Sequence, residues 1–143
     1  MTQTYEDDLY AWALKNADLL RQGRFAEIDV DNIAEELESM GRSECRQLAN
    51  RLEVLMAHLL KWRYQPARRG NSWRYTIEEQ RRKVRKLLKD SPSLKPLLER
   101  EVEDVYPDAV LLAARETGRD KSELPASCPF AVEQILDDGY WPE

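Results

Sequence analysis

Residues 43–62 read SECRQLANRLEVLMAHLLKW, and this stretch decides the fold because its apolar residues recur at helical spacing. Its largest apolar side chains follow one another at alternating steps of four and three: Leu48, Leu52, Leu55, Leu59 and Trp62. Such steps place all of them on one side of an α-helix for four turns. We therefore expect a long helix from Ser43 whose leucine seam forms the centre of the core.

The composition of the whole chain favours the same fold class. Alanine, glutamate, lysine, leucine and arginine make up about half of the 143 residues, whereas valine, isoleucine and threonine together number only 15. The first group loses little side-chain freedom in helices, and the second is the group that sheets require. We therefore expect an all-α protein, a compact helical bundle of about five main helices plus a short C-terminal helix. A chain of this length is expected to form a single domain, residues 1–143.

Turn and capping residues set the expected limits of the other helices. A first helix should open at Thr4 and stop near Gly23, and a second should run over residues 29–41 with Gly41 as its left-handed stop. A fourth should run from Ser72 or Thr76 to about residue 89. Ser91 and Pro92 should open a fifth, which Pro107 should kink or split, and a last short helix is expected near residues 129–138.

Periodicity also predicts which side chains of the first two helices are buried. In the first helix, one buried stripe is expected to contain Tyr5, Leu9, Trp12, Ala13 and Leu20. In the second, the inward residues are expected to be Val30, Ile33, Leu37 and Met40.

Targeting features and cysteine usage predict a cytoplasmic protein. The N-terminus is acidic and has no apolar signal-peptide region, and no stretch approaches the eighteen or so apolar residues that span a bilayer. Cys45 and Cys128 show no metal-ligand spacing and are expected to be reduced. Cys45 should be a small buried residue, whereas Cys128 should lie at a helix start, where the helix dipole favours the thiolate.

Charge is sorted along the chain. Residues 1–60 carry a net charge of −6, residues 61–89 carry +9 and residues 90–143 carry −8. We call residues 61–89 the basic segment; its candidate binding residues are Arg68, Arg69, Arg74, Arg81, Trp62 and Trp73. Cations and aromatic rings in this pattern suit phosphates and unpaired bases, which makes nucleic-acid binding one interpretation.

The alternative interpretation is that the basic segment is structural. Its arginines would then pair with carboxylates elsewhere in the bundle: Glu35, Glu36, Glu38, Glu99, Glu101 and Glu103. Trp62 and Trp73 would be core anchors rather than stacking platforms. We favour this pairing because an acidic protein repels nucleic acid at long range. Binding of a protein partner through the same surface is the third interpretation.

The residues that could support catalysis are few. One loose metal site could form from Glu36, His58 and Glu79, one residue on each of three successive helices. His58 is the only histidine, and a site with one nitrogen ligand is poor for zinc, so no metal and no cofactor are expected. The chain also lacks a glycine-rich phosphate loop and a serine nucleophile motif. These absences favour a protein that is not an enzyme.

Several longer motifs resemble a known family. They are TYEDDLYAWA from Thr4, LLRQGRF from Leu19, IAEELESMGRSE from Ile33, HLLKWRYQP from His58, SWRYTIEEQR from Ser72, SPSL from Ser91, and the closing CPF, QILD and WPE. With these motifs the chain resembles the bacterial family called domain of unknown function 29 along nearly its whole length. The resemblance implies a small cytoplasmic helical bundle without an established activity, cofactor or partner. It also implies recurring positions at Glu35, Glu36, His58, Trp62, Trp73, Glu79 and Arg81.

The sequence therefore leads to three functional hypotheses. The first is a non-catalytic interaction or regulatory module that binds a protein partner through the basic segment or its exposed flank. The second is nucleic-acid binding through the same segment. The third is a metal-dependent hydrolase with a Glu and His site in the bundle core.

Overall fold

The structure, a computed structural model, describes residues 4–143 and confirms the all-α class. The described residues form five α-helices and contain no strand. The α-helices are α1 (Leu9–Arg21), α2 (Val30–Tyr64), α3 (Asn71–Asp90), α4 (Leu98–Thr117) and the short C-terminal α5 (Val132–Leu136). Short 3-10 helices lie at Pro66–Arg68, Pro92–Leu97 and Lys121–Glu123.

The chain divides into two compact units, with the boundary after Ser43. The first unit contains α1 and the first turns of α2, and the second unit runs from Glu44 to the C-terminus. The expectation of a single domain stays a prediction. No helix within residues 4–143 combines the length and the apolar character that crossing a bilayer requires.

In the first unit, the chain turn before α2 is fixed by polar side chains. Asp29 accepts hydrogen bonds from Trp12 Nε1 and Asn32 Nδ2, both at 2.8 Å, and its own backbone N–H donates to Asn16 Oδ1 at 2.8 Å. Trp12 and Asn16 are buried one turn apart on α1. These bonds hold α1 to the start of α2.

The core of the second unit is built around the predicted leucine seam. Leu48, Leu52, Leu55 and Leu59 are completely buried, while Trp62 is partly buried at the end of the seam. The other helices contribute the opposing side of the core, chiefly through Ile77, Val84, Val102, Val105, Ala109, Ala113, Phe130 and Ile135. The leucine seam expected over residues 43–62 is confirmed, but the expected helix start at Ser43 is wrong, since α2 is continuous from Val30.

Two predicted interruptions are absent. Gly41 does not stop a helix, because α2 is continuous through it and the only glycines with positive φ in residues 4–143 are Gly23 and Gly118. Pro107 does not split α4, which continues to Thr117. Gly41 costs the helix about 0.5–1 kcal/mol of backbone entropy. Pro107 costs more, about 3 kcal/mol, because it removes a backbone hydrogen bond and its ring crowds the preceding turn, and packing of α4 offsets this cost.

Two helix starts also differ from the prediction. Asp8, not Thr4, caps α1, because its Oδ1 accepts from the Ala11 backbone N–H at 3.0 Å. Thr4 instead donates its hydroxyl proton to Asp7 in the preceding turn. Pro92 begins a 3-10 helix after Ser91, and the α-helix that was predicted there begins only at Leu98.

The continuity of α2 can be tested at Gly41. A Cβ added there meets nothing within 4 Å, so Gly41→Ala should raise the free energy of unfolding by about 0.5–1 kcal/mol through reduced backbone entropy of the unfolded chain. Gly118→Ala is the matched control and should destabilise, because Gly118 has a φ of 71° at the end of α4. Urea unfolding measures both. A destabilising Gly41→Ala would indicate the left-handed stop that the sequence predicted.

Candidate functional site

The predicted binding residues separate into internal and exposed groups. Trp62, Arg69 and Arg81 contact the C-terminal segment of the second unit, and Trp73 lies beside Lys61. Arg68 and Arg74 are exposed. The basic segment is therefore not one surface.

Arg81 is completely buried and holds the chain after α5. Its Nε donates to the Ile135 carbonyl at 2.8 Å, and its Nη2 donates to the carbonyls of Gln134 at 3.2 Å and Tyr140 at 2.8 Å. Burial lowers the pKa of Arg81, and the nearby carboxylate of Asp138 acts in the opposite direction. The guanidinium thus binds backbone carbonyls at the C-terminal end of α5, where a cation is favoured.

Arg81, Trp141, Trp62 and Arg69 form a stack that extends this anchor. The Arg81 guanidinium lies 5.5 Å from the Trp141 ring centroid, the Trp141 and Trp62 ring centroids are 4.7 Å apart, and the Arg69 guanidinium lies 5.3 Å from the Trp62 ring centroid. Arg69 also donates to the carbonyls of Trp62 at 2.6 Å and Pro142 at 3.3 Å. Trp62 is therefore an internal anchor, as the structural interpretation predicted.

Lys61 is the second buried cation. It is 4% exposed, and its Nζ donates to Glu116 Oε1 at 2.8 Å and lies 3.5 Å from His58 Nε2. The Trp73 ring centroid lies 5.5 Å from the same nitrogen. The hydrogen bond from Lys61 lowers the pKa of Glu116, so this carboxylate stays ionised beside the ammonium. The contacts of Lys61 therefore join α2 to α4, and its ammonium is held in an ion pair.

His58 is oriented by its own helix. Its Nδ1 lies 2.8 Å from the Val54 carbonyl oxygen, which only accepts hydrogen bonds, so Nδ1 carries the proton and Nε2 faces Lys61. Burial lowers the pKa of His58, which keeps the imidazole neutral. His58 is therefore a partly buried histidine whose hydrogen bond lies within α2.

Each of the three residues of the predicted metal site contacts another side chain. Glu36 accepts a hydrogen bond from the Tyr5 hydroxyl, His58 faces Lys61, and Glu79 accepts from Lys83 at 2.5 Å. Across residues 4–143, no group of three or more His, Cys, Asp or Glu side chains is arranged to hold a metal ion. Glu36 lies in the first unit, whereas His58 and Glu79 lie in the second.

A groove of about 820 Å³ lies between α4 and residues 126–133 of the second unit. Tyr106 and Cys128 line it, and the Tyr106 hydroxyl donates to the Pro125 carbonyl at 2.7 Å. Burial raises the pKa of Tyr106 to about 12 and also raises the pKa of the Cys128 thiol. The prediction of a thiolate-favouring helix start at Cys128 is wrong, because α5 begins only at Val132 and desolvation dominates.

Three of the seven cations of α3 form ion pairs within the second unit. Lys83 pairs with Glu79 at 2.5 Å and Lys86 with Asp90 at 3.0 Å, while Arg85 binds the Asp138 carboxylate at 3.0 Å. These carboxylates are not the ones that the sequence proposed as partners. Pairing within the second unit reduces the positive charge that the basic segment presents to an external ligand.

The largest departure from the sequence prediction lies in the first unit. Val30, Leu37 and Met40, all predicted to face inward, are 60%, 63% and 64% exposed. Leu9 and Leu20, predicted to be buried on α1, are exposed as well. We call the exposed large apolar side chains of this unit the apolar face: Leu9, Tyr10, Leu14, Leu20, Phe25, Val30, Leu37 and Met40.

Helix geometry explains why periodicity assigned these residues to the core. Successive residues turn by about 100°, so Val30, Leu37 and Met40 share one side of α2. On α1 the apolar residues cover a wider arc than the one that Trp12 and Leu19 bury. The pattern predicts an apolar side correctly but does not show whether the chain itself covers that side. The sequence did contain one sign of this exposure: the apolar residues of α1 cover a wider arc than a single packing partner can bury.

Comparison with known proteins adds a family. Neither the curated proteins nor the solved structures include a match to this chain. The family model described as Domain of unknown function DUF29 matches residues 4–141. That match covers both units and agrees with the resemblance carried by the sequence motifs. The chain is therefore a member of the DUF29 family.

Proposed function

We propose that this protein is a non-catalytic interaction module that binds an amphipathic helix of a protein partner on its apolar face. The apolar face is the observation that carries this proposal. Single exposed apolar residues are normal on protein surfaces, but extended exposed apolar patches mark interaction sites. Val30, Leu37 and Met40 are not scattered, because their spacing of seven and three repeats along one side of α2.

A helix is the occupant that this geometry favours. Helices recognise one another through side chains spaced at three, four and seven residues, which is the spacing of the exposed side of α2. Both α1 and the first turns of α2 carry exposed apolar side chains, so either helix offers apolar area to a partner helix. The other two hypotheses have weaker support, since the metal candidates have other partners and three cations of α3 are paired within the second unit.

The test uses a defined probe. An amphipathic peptide of about eighteen residues, with leucines on one side and glutamine and serine on the other, is labelled and titrated with the full chain by fluorescence anisotropy. The double variant Leu37→Lys, Met40→Lys should bind about tenfold more weakly than the wild type, because charge replaces exposed apolar area. Both positions are exposed, so unfolding stability should change little.

Leu111→Lys is the matched control, because Leu111 is 50% exposed on α4 of the second unit. It should leave peptide affinity unchanged. A peptide that carries alanine in place of leucine should not bind. The proposal fails if the leucine peptide does not bind the wild type, or if the double variant and the control bind it equally well.

A further inference from the structure

We propose that the partner helix is basic, with lysine or arginine flanking its apolar side. This inference rests on the proposed function and adds the chemical character of the partner. Three observations support it: the net charge of the first unit, the internal pairing of its arginines, and the burial of the apolar side of the basic segment.

The first unit is strongly acidic. Residues 4–43 carry ten carboxylates and four basic side chains, a net charge of −6. The carboxylates stand beside the apolar face in sequence, with Glu6, Asp7 and Asp8 ahead of Leu9, and Asp31 following Val30. A partner that binds the first unit therefore meets an excess of negative charge on that unit.

The arginines of the first unit do not offset this charge further, because each is already paired within the unit. Arg21 lies 4.0 Å from Asp18, Arg24 pairs with Glu27 at 2.5 Å, and Arg42 pairs with Glu35 at 2.8 Å. The net charge of −6 already includes both members of each of these ion pairs. The excess negative charge stays available to a partner, and charge complementarity of this kind selects partners and accelerates association.

A second copy of the chain fits the apolar face poorly. Two first units would bring like charges together at an interface that twofold symmetry makes self-complementary. The basic segment of another copy offers little apolar area, because Ile77, Val84 and Leu88 of α3 are buried in its own core and Tyr75 is the large apolar side chain that α3 leaves exposed. A lipid surface is also disfavoured, since helices that bind membranes carry lysine and arginine beside their apolar residues.

The test compares three peptides with the same leucine side. One carries lysine and arginine on its polar side, the second carries glutamine and serine, and the third carries glutamate. At low salt, the wild-type chain should bind the basic peptide about tenfold more tightly than the neutral one and the acidic peptide most weakly. This order should compress as salt rises from about 50 to 500 mM, because salt screens exposed charges.

Variants that replace carboxylates with neutral amides show which residues favour the basic peptide. Glu6→Gln with Asp31→Asn should weaken binding of the basic peptide about threefold to tenfold and leave binding of the neutral peptide unchanged. Both residues are exposed. The matched control, Glu99→Gln with Glu103→Gln, removes two exposed carboxylates of α4 in the second unit and should change neither affinity.

The outcomes separate the two proposals. If the neutral and acidic peptides bind as tightly as the basic one, and binding still depends on Leu37 and Met40, the proposed function stands and the basic partner is overturned. If no peptide binds, the proposed function itself fails. Two further results would overturn the basic partner: a wild-type dimer in sedimentation velocity that Leu37→Lys, Met40→Lys dissociates, or binding of the wild type to anionic phosphatidylserine vesicles that the same variant abolishes.

Discussion

Replacing Arg81 with methionine should lower the free energy of unfolding by about 3–5 kcal/mol, because three buried carbonyls lose a charged donor at once. Methionine keeps most of the side-chain length, so the loss reports on hydrogen bonds more than on a cavity. Arg81 is completely buried, and its partners are the carbonyls of Gln134, Ile135 and Tyr140. Urea unfolding measures the change.

The control for this variant is Arg82→Met, since Arg82 is the exposed neighbour on α3 and should shift stability by no more than about 0.5 kcal/mol. Amide hydrogen exchange adds a local readout, because residues 134–140 should lose protection in Arg81→Met and keep it in Arg82→Met. Equal stability and equal exchange in the two variants would mean that Arg81 does not anchor the C-terminal segment.

Removing the carboxylate from the Lys61 pair should cost more than removing the ammonium. Glu116→Ala leaves a charge that is 4% exposed without its anionic partner, which we expect to cost about 1–2 kcal/mol. The side chain of Glu116 is 42% exposed, so water can partly replace it, and this estimate is reduced accordingly from the value for a fully buried pair. Lys61→Met should cost less than about 1 kcal/mol, because methionine retains contact with Trp73.

A double-mutant cycle checks this asymmetry. With Lys61→Met already present, Glu116→Ala should add almost nothing, because the carboxylate has lost its partner. Glu79→Ala is the control for an exposed pair, since Glu79 and Lys83 lie one turn apart on the surface of α3, and it should leave the free energy of unfolding nearly unchanged. An effect of Glu116→Ala as small as that of Glu79→Ala would contradict the account of a buried cation.

The sequence predicted the core of the second unit well because local periodicity and burial coincide there. Leu48, Leu52, Leu55 and Leu59 lie on one side of α2, and that side packs against α3, α4 and α5. The limits of α3 and the short C-terminal helix were also close to those predicted. In this unit the apolar side of each helix is the buried side.

The internal anchors could not have been predicted from pattern. Arg81 binds backbone carbonyls 53 to 59 positions later in the chain, and a carbonyl has no sequence signature. Lys61 binds Glu116, 55 positions later, from a helix whose relative placement depends on the whole core. Arg68, Arg69, Arg74 and Arg81 look equivalent as charges in sequence, whereas in the structure Arg81 is buried and Arg74 is exposed.

The burial predicted for the apolar residues of the first unit was wrong for a different reason. Periodicity identified an apolar side of α2 through Val30, Leu37 and Met40, and the inference that this side is buried assumed a partner within the chain. The structure leaves it exposed. An amphipathic helix needs a partner for its apolar side, but its sequence does not say whether that partner belongs to the same chain.

The most direct test of the apolar face as a binding surface is a methyl NMR titration of the full-length chain with the basic leucine peptide. We expect the methyl resonances of Val30, Leu37 and Met40 to shift with peptide concentration, and those of Ile77, Val84 and Ile135 in the core of the second unit to stay unchanged. Shifts confined to residues 44–143 would contradict this expectation and would place peptide binding in the second unit.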